Sequence, residues 1–354
     1  MKKLFSIFAI TLLMFTVFTL GAIAADNIRI HFIDVGQGDS ILIELINEEN
    51  ILIDAGNNGD GNKVINYLKK NNIDRLDYIV GTHPHSDHIG GLDEVINRVD
   101  IAKIYMPKVV HTTKSYEDLL KAIKNKNLKI TAAKRGINIV DEKDLKVKIL
   151  SPLKDNYDDL NNYSVVLKVD YKDVSYLFIG DAEKKVEKEL LNSDIDLNSD
   201  VLKIAHHGSV SSSSVPFLEE VRPQFGVICV GFDNRYGHPS SSIIKRLQKY
   251  NIKVFRTDKH GTIIIASDGD KIFIKGEKYA LKNNKKNNEN NKEIKIIEVK
   301  KDEEVVIIKN TGNQIIDISG WKLLSERGEQ EFIFPPSTKL KAKQILRIVS
   351  GRNQ

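Results

Sequence analysis

Three histidines and an aspartate fall within six positions of the run Thr82-His83-Pro84-His85-Ser86-Asp87-His88-Ile89-Gly90-Gly91. The run follows an apolar segment, 78–82, that reads as a strand, so these side chains leave a strand end and enter a glycine-containing turn. Neighbouring donors can then converge on one point. Imidazole and carboxylate donors without thiolate suit zinc, and also manganese or iron. Nine histidines in 354 residues make three in six positions an improbable accident of a surface loop. Holding such a cluster requires a rigid core behind it. The chain can supply one: 41% of its residues are hydrophobic and 29% charged, ordinary values for a globular protein long enough for two domains. The single cysteine, Cys229, excludes an intramolecular disulfide framework and a CxxC-type zinc ribbon, and in the apolar run 225–230 it reads as a small buried hydrophobe.

Around the cluster, short β-rich runs alternate with helical ones, each strand group bounded by Gly, Asn, Asp or Pro. Strands are expected at 28–34, 40–45, 51–54, 78–82, 101–106, 147–150, 164–169, 175–180, 201–205, 225–230, 253–256, 262–267 and 271–275. Helices are expected at 61–71, 91–99, 115–125, 182–192, 216–221 and 241–250. This order predicts an α/β (α+β) sandwich with helices covering sheets. Residues 1–25 read as a secretory signal: Lys2 and Lys3, an apolar run over 4–20, then small residues at 21–25 where a peptidase cuts. Secretion follows as an expectation, with no membrane-crossing segment in the mature chain. Residues 26–276 form the expected catalytic domain and 277–301 a Lys/Asn-rich linker. The stretch 282–293, KNNKKNNENNKE, holds no aliphatic or aromatic residue and reads as a solvated spacer. Residues 302–354 are strand-rich again and read as a small all-β module.

HPHSDHIGG resembles the HxHxDH signature of the metallo-β-lactamase superfamily, and other motifs follow in order. Asp34-Val35-Gly36-Gln37-Gly38-Asp39-Ser40 resembles the opening of the hydrolase domain of the ComEC/Rec2 competence proteins. Gly180-Asp181-Ala182-Glu183 resembles a strand-end aspartate that bridges two metals. Ala205-His206-His207-Gly208-Ser209 and Asn234-Arg235-Tyr236-Gly237-His238-Pro239-Ser240 are similar to the same subfamily. The resemblance implies a four-layer αββα sandwich over roughly 28–275. It implies His83 and His85 at a first metal, Asp87, His88 and His238 at a second, and Asp181 bridging, with one zinc ion or two. Where the wider family has a further histidine before the bridging aspartate, this chain has Asn161-Asn162-Tyr163, which makes Asn162 a candidate near the first site. Asp34 is a candidate for orienting a metal-bound histidine, a plain turn role being the alternative. Asp54 is expected to be structural, and His111 to contribute only if its loop folds back. On an alternating strand His206 and His207 would face opposite sides, one serving as ligand or general acid and the other orienting it. Ser209 is a candidate for lining the pocket.

The implied chemistry is hydrolysis through a metal-bound hydroxide, with Asp87, His206 and His207 as the catalytic residues. The ligands do not encode the scissile bond. The competence resemblance implies a nuclease on DNA or nucleotides. Hydrolysis of a β-lactam or another acyl substrate is the alternative, and a non-catalytic extracellular protein binding DNA or the cell wall is a third reading. The tail resembles the start of a lamin-tail domain, an immunoglobulin-like sandwich that would take about 100 residues, so at 53 residues it is expected to be partial. The formal charge of +5 hints at an acidic partner, but eight Lys against four Glu in 277–301 place most of it in the linker. That segment and the tail are the candidates for contact with DNA or a cell surface.

Overall fold

The computed structural model describes residues 27–274, 277–280, 294–300, 305–312, 314–324 and 331–349. The proposed signal at 1–25 and the polar stretch 282–293 lie outside them. The chain divides into two units, 1–282 and 283–354.

The first unit is built on two sheets. One takes β1 (Ile28–Phe32), β2 (Ile41–Glu44), β3 (Asn50–Ile53), β4 (Arg75–Val80), β5 (Asp100–Pro107) and β6 (Ile130–Ala133). The other takes β7 (Asn138–Asp141), β8 (Leu145–Ser151), β9 (Val166–Tyr171), β10 (Val174–Phe178), β11 (Val201–Lys203), β12 (Phe225–Ile228) and β13 (Lys253–Arg256). The chain then returns to the first sheet as β14 (Ile263–Ser267), β15 (Lys271–Ile274) and β16 (Glu277–Ala280), with β14 pairing antiparallel to β1. Each sheet has a parallel half, β3 to β6 in one and β10 to β13 in the other, joined by helical crossovers.

Three hydrophobic clusters make this a four-layer αββα sandwich. Ile30, Phe32, Ile43, Val147, Leu167, Tyr176, Phe178 and Ile265 fill the space between the sheets. On the outer face of the first sheet lie the helices α1 (Gly61–Lys70), α2 (Ser86–Ile89), α3 (Leu92–Arg98) and α4 (Lys114–Asn125). The second sheet is covered by α5 (Lys184–Leu191), α6 (Val215–Val221) and α7 (Ser241–Lys249), and the one-turn α8 (Thr257–His260) precedes β14. In α1 the buried residues Gly61, Val64, Ile65 and Leu68 recur at helical spacing, while Lys69 and Lys70 stay in water. α7 starts where the Ser240 side chain accepts the Ser242 backbone N–H. Each fully buried Leu or Ile contributes about 1.5–3 kcal/mol, which fixes the strand ends that carry the site.

The short strands β6 and β7 fall outside the expected set, because edge strands with exposed positions lack a continuous apolar run. The segment read as linker begins and ends in strand: β16 pairs with β15, and β17 (Ile294–Lys300) pairs with β18 (Val305–Asn310). In the second unit β18 also pairs with a later strand, Ile345–Val349, over a small cluster of Ile308, Ile318, Phe334 and Leu340. Among the described residues no helix is long and apolar enough to cross a membrane.

Candidate metal centre at the strand ends

The C-terminal ends of β3, β4, β10, β11 and β12 meet at one edge of the sandwich, where side chains leaving a parallel sheet escape its hydrogen-bond ladder. After β3 comes Asp54, fully buried, with a positive φ of 56°. Its carboxylate accepts the Thr82 backbone N–H at 2.8 Å and the Thr82 hydroxyl at 2.6 Å, and lies 2.8 Å from His88 Nδ1. A carboxylate on Nδ1 fixes the tautomer in which Nε2 carries a free lone pair. Asp54 therefore orients His88, beyond the structural role expected for it.

Asp181 follows β10, and its Oδ2 is the point of convergence. His88 Nε2 lies 3.2 Å away, His207 Nε2 3.6 Å, His206 Nε2 3.7 Å and His83 Nε2 4.0 Å. Asp87 Oδ2 stands 3.3 Å from His207 Nε2. Three compact donor sets result: His83 with His88 and Asp181, Asp87 with His88 and His207, and, behind them, Asp39 with Asp54 and His88. His88 Nε2, His207 Nε2 and Asp181 Oδ1 are buried without a hydrogen-bond partner. Leaving such groups unsatisfied costs about 1–3 kcal/mol each. A cation among them would satisfy all three, so the donor set fits a metal of the zinc, manganese or iron type.

The charges agree with that fit. Burial alone would raise Asp181, but His88 and His207 outweigh it and hold the carboxyl well below its usual range. For His207 burial works downward, yet Asp181, Asp39 and Asp87 lift it to about 10. The balance at His88 is similar: against burial, Asp181 and Asp54 push it well above the ordinary value. His83 goes the other way, lowered by burial and by His88. The carboxylates thus favour the charged forms of His88 and His207, as those imidazoles favour the charged form of Asp181.

The expectation for His206 and His207 needs correcting. β11 stops at Lys203, and both histidines take left-handed backbone conformations, with φ of 49° and 53°. Alternation therefore does not apply, and both rings turn toward Asp181. Strained non-glycine residues of this kind persist where surrounding contacts over-determine them. Gly208 follows, also at positive φ, where a Cβ would strike Pro239. His207 is buried, and its Nδ1 lies 2.8 Å from the Cys229 carbonyl, which commits that nitrogen to donating and turns Nε2 to the centre. His206 is partly exposed at the rim, with Nδ1 3.1 Å from Ser211 Oγ. Ser209 lies behind it, its hydroxyl 3.1 Å from that of Ser211.

Asp34 is a turn residue. It is exposed and its carboxylate accepts the Gly36 N–H, so it orients no histidine. The buried carboxylate of that loop is Asp39, brought in because Gly38 lacks a Cβ that would strike the Asp87 carbonyl. Asp39 Oδ1 lies 3.4 Å from His207 Nδ1, and Oδ2 lies 2.7 Å from Lys203 Nζ, a fully buried ammonium that also donates to the Ile204 carbonyl. Burial would raise Asp39, but Lys203 and His207 bring it down to about 2. The sequence reading missed this pair, although a lysine inside the apolar run 201–205 was a signal for it. Asn162 accepts the Glu183 N–H and braces that loop, whereas its neighbour Asn161 lines the cleft with a buried, unpartnered Oδ1.

The centre opens into a cleft of about 320 Å³. His85, His111, His206, His238 and Tyr236 lie along its rim. His85 Nδ1 is 3.0 Å from His83 Nε2, and its ring lies 6.3 Å from that of His111, whose loop does reach the cleft. Tyr236 stacks on His238, in a loop held by Asn234, which accepts the His238 N–H and donates to its carbonyl.

A four-layer αββα sandwich with an HxHxDH cluster at its strand ends defines a metallohydrolase class. Residues 33–231, more than half of the chain, match the Metallo-beta-lactamase superfamily, and the chain belongs to it. Residues 287–354 match the Lamin Tail Domain, beginning upstream of the boundary expected at 302. ComE operon protein 3 of Bacillus subtilis is 32% identical over 71% of this chain and 34% of its own length. Recombination protein 2 of Haemophilus influenzae is 28% identical over 75% of this chain and 32% of its own. The chain thus spans about a third of the length of these relatives. Among solved structures, the metallo-beta-lactamase fold protein YhfI from Bacillus subtilis aligns over 68% of this chain and all of its own, at a TM-score of 0.45 and 12% identity.

Proposed function

We propose that this protein is a secreted, metal-dependent phosphodiesterase acting on DNA or nucleotides. The observation that carries the reading is the convergence of four imidazoles on Asp181 at the strand ends. The competence and recombination names of its relatives support DNA as the substrate class. Zinc is the first candidate for the ion, with manganese or iron as alternatives, and it would be held by His83, His88, Asp181, Asp87 and His207, whereas the expected ligands His85 and His238 line the cleft outside these donor sets. When bound, such an ion supplies an acidified water and a positive charge beside the developing oxyanion.

The remaining steps belong to the chain. Asp87 Oδ2 borders the cleft and takes the proton of the attacking water. His207 cannot spare Nδ1, which is committed to the Cys229 carbonyl, so it holds its ring fixed. His206 sits at the rim with Nδ1 steadied by Ser211, and its Nε2 gives a proton to the leaving oxygen. His238, paired with Tyr236 across the cleft, orients the substrate.

The test is turnover by purified chain loaded with zinc or manganese, on single-stranded and duplex DNA and, in parallel, on a chromogenic β-lactam. Cleavage of DNA that is lost in Asp87→Ala supports the reading. Intact DNA with a cleaved lactam transfers the same site to acyl hydrolysis, and turnover of neither revives a binding role. Secretion is checked by sequencing the N-terminus of protein from culture medium, with the mature chain beginning at Ala25 or Asp26.

A further inference from the structure

A second depression is built from the same loops as the catalytic cleft. Two loops wall both: the one after β5, which carries His111 and Thr113 in the cleft, and the 152–163 connection, which carries Asn161 there. Beyond His111 the same loops enclose an open apolar hollow of about 470 Å³, lined by Met106, Val109, Val110, Tyr116 and Ile130. Lys108 and Tyr163 border this hollow and also a smaller one, about 160 Å³, that adds Lys134, Arg135 and Lys154 against the single acid Asp155. Lys108 lies three residues from His111, so the two sit within about 11 Å along the chain.

The basic residues of the smaller hollow are not equivalent. Arg135 pairs with Asp194 and Lys154 with Glu189. Among the described residues Lys108 and Lys134 have no ion pair, and both are exposed. Two uncommitted ammonium groups beside an apolar hollow, next to a hydrolytic cleft, combine what a single nucleic-acid strand needs. The backbone phosphates meet positive charge and an unstacked base meets an apolar surface. A duplex would not present its bases to such a hollow, whereas a single strand does.

We infer that the trough running from His111 over Val109 and Val110 to Lys108 and Lys134 is the binding track for a single nucleic-acid strand whose scissile phosphate lies in the cleft. The base nearest the cleft enters the hollow beside Tyr116 and Ile130. The next phosphates lie against Lys108 and Lys134. The inference rests on the phosphodiesterase reading and extends it from a bond type to the form of the substrate.

The test separates the two claims. Binding of a fluorescent single-stranded oligonucleotide to the full chain is measured by anisotropy, with a chelator present, across a salt series. The proteins compared are wild type, Lys108→Ala/Lys134→Ala, and a control, Lys69→Ala/Lys70→Ala, which removes the same charge from the exposed end of α1. Each phosphate contact on a single strand contributes a slope of about 0.7 in log K against log salt, so the trough variant should lose about 1.4 and the control none. Equal loss in the two variants, or a wild-type slope in the trough variant, overturns the inference. DNA turnover with metal is measured on the same proteins. If the slope falls as expected but no protein cleaves DNA, the reaction reading fails and the track stands. If all three cleave DNA and keep one slope, the track fails and the reaction stands.

Discussion

The two halves of the candidate centre are held in different ways. In the buried half each imidazole is fixed from behind: His88 by Asp54, His83 by the Thr82 hydroxyl at 3.1 Å, and His207 by the Cys229 carbonyl with Asp39 and Lys203 beyond it. At the rim, His85, His206 and His238 are partly exposed and lean on one another or on hydroxyl and aromatic neighbours. A metal is best held where ligands cannot turn, and substrate exchange is easiest where they can. On the proposed reading, metal retention falls to the interior and substrate handling to the rim.

The sharpest way to break that division is Asp181→Asn, which removes the charge at the convergence point. Metal content should fall below one ion per chain and turnover should vanish, read by elemental analysis beside the DNA assay. If Asp181→Asn keeps its metal, the interior does not hold it. Next in size is Lys203→Met. It leaves Asp39 buried without its cation, and one-sided breaking of a buried pair costs about 3–5 kcal/mol. Urea unfolding measures this, and the double variant with Asp39→Asn should recover most of the loss. The same variant flattens a pH limb. Asp39 titrates at about 2 when folded, below the ordinary carboxyl value of about 3.9. Its contribution is therefore complete above pH ~4 and is lost as the pH falls toward about 2. An unchanged acid limb in Lys203→Met would show that the pair is not what holds Asp39 down.

Asp54→Asn comes third. It keeps the shape but weakens the orientation of His88, and should reduce metal affinity about 10–100-fold in competition with a chelator. His238→Ala, at the rim, should leave that constant within a few-fold and instead raise KM for DNA. If the two variants exchange these phenotypes, the division of labour is wrong. The smallest signal is the proton balance. His207 is lifted to about 10 in the metal-free centre, so loading with zinc near pH 7.5 should release about one proton from it into the buffer. Calorimetry in buffers of different ionisation enthalpy reads this, and no release would mean that the metal displaces nothing.

How far the sequence carried differs along the same line. HxHxDH was legible because its donors are local, and the helices were legible because Val64, Ile65 and Leu68 or Ile243 and Leu247 repeat at helical spacing. The Asp39–Lys203 pair was not, since 164 residues separate its members and only the fold brings a loop carboxylate onto β11. Asp34 was the candidate read from that loop, and of its two readings the structure shows the turn, with the side chain in water. The two histidines after β11 were misread because strand alternation was extended past Lys203, where the backbone turns left-handed. Asn161 and Asn162 could not be told apart without knowing the phase of the short helical turn they occupy.

The most direct measurement is anomalous diffraction at the zinc edge from crystals of the zinc-loaded chain. Zinc held by the interior gives a peak among His83, His88, Asp181 and His207, with donor distances of about 2.0–2.2 Å. A peak confined to the rim histidines, or none after loading, would contradict it.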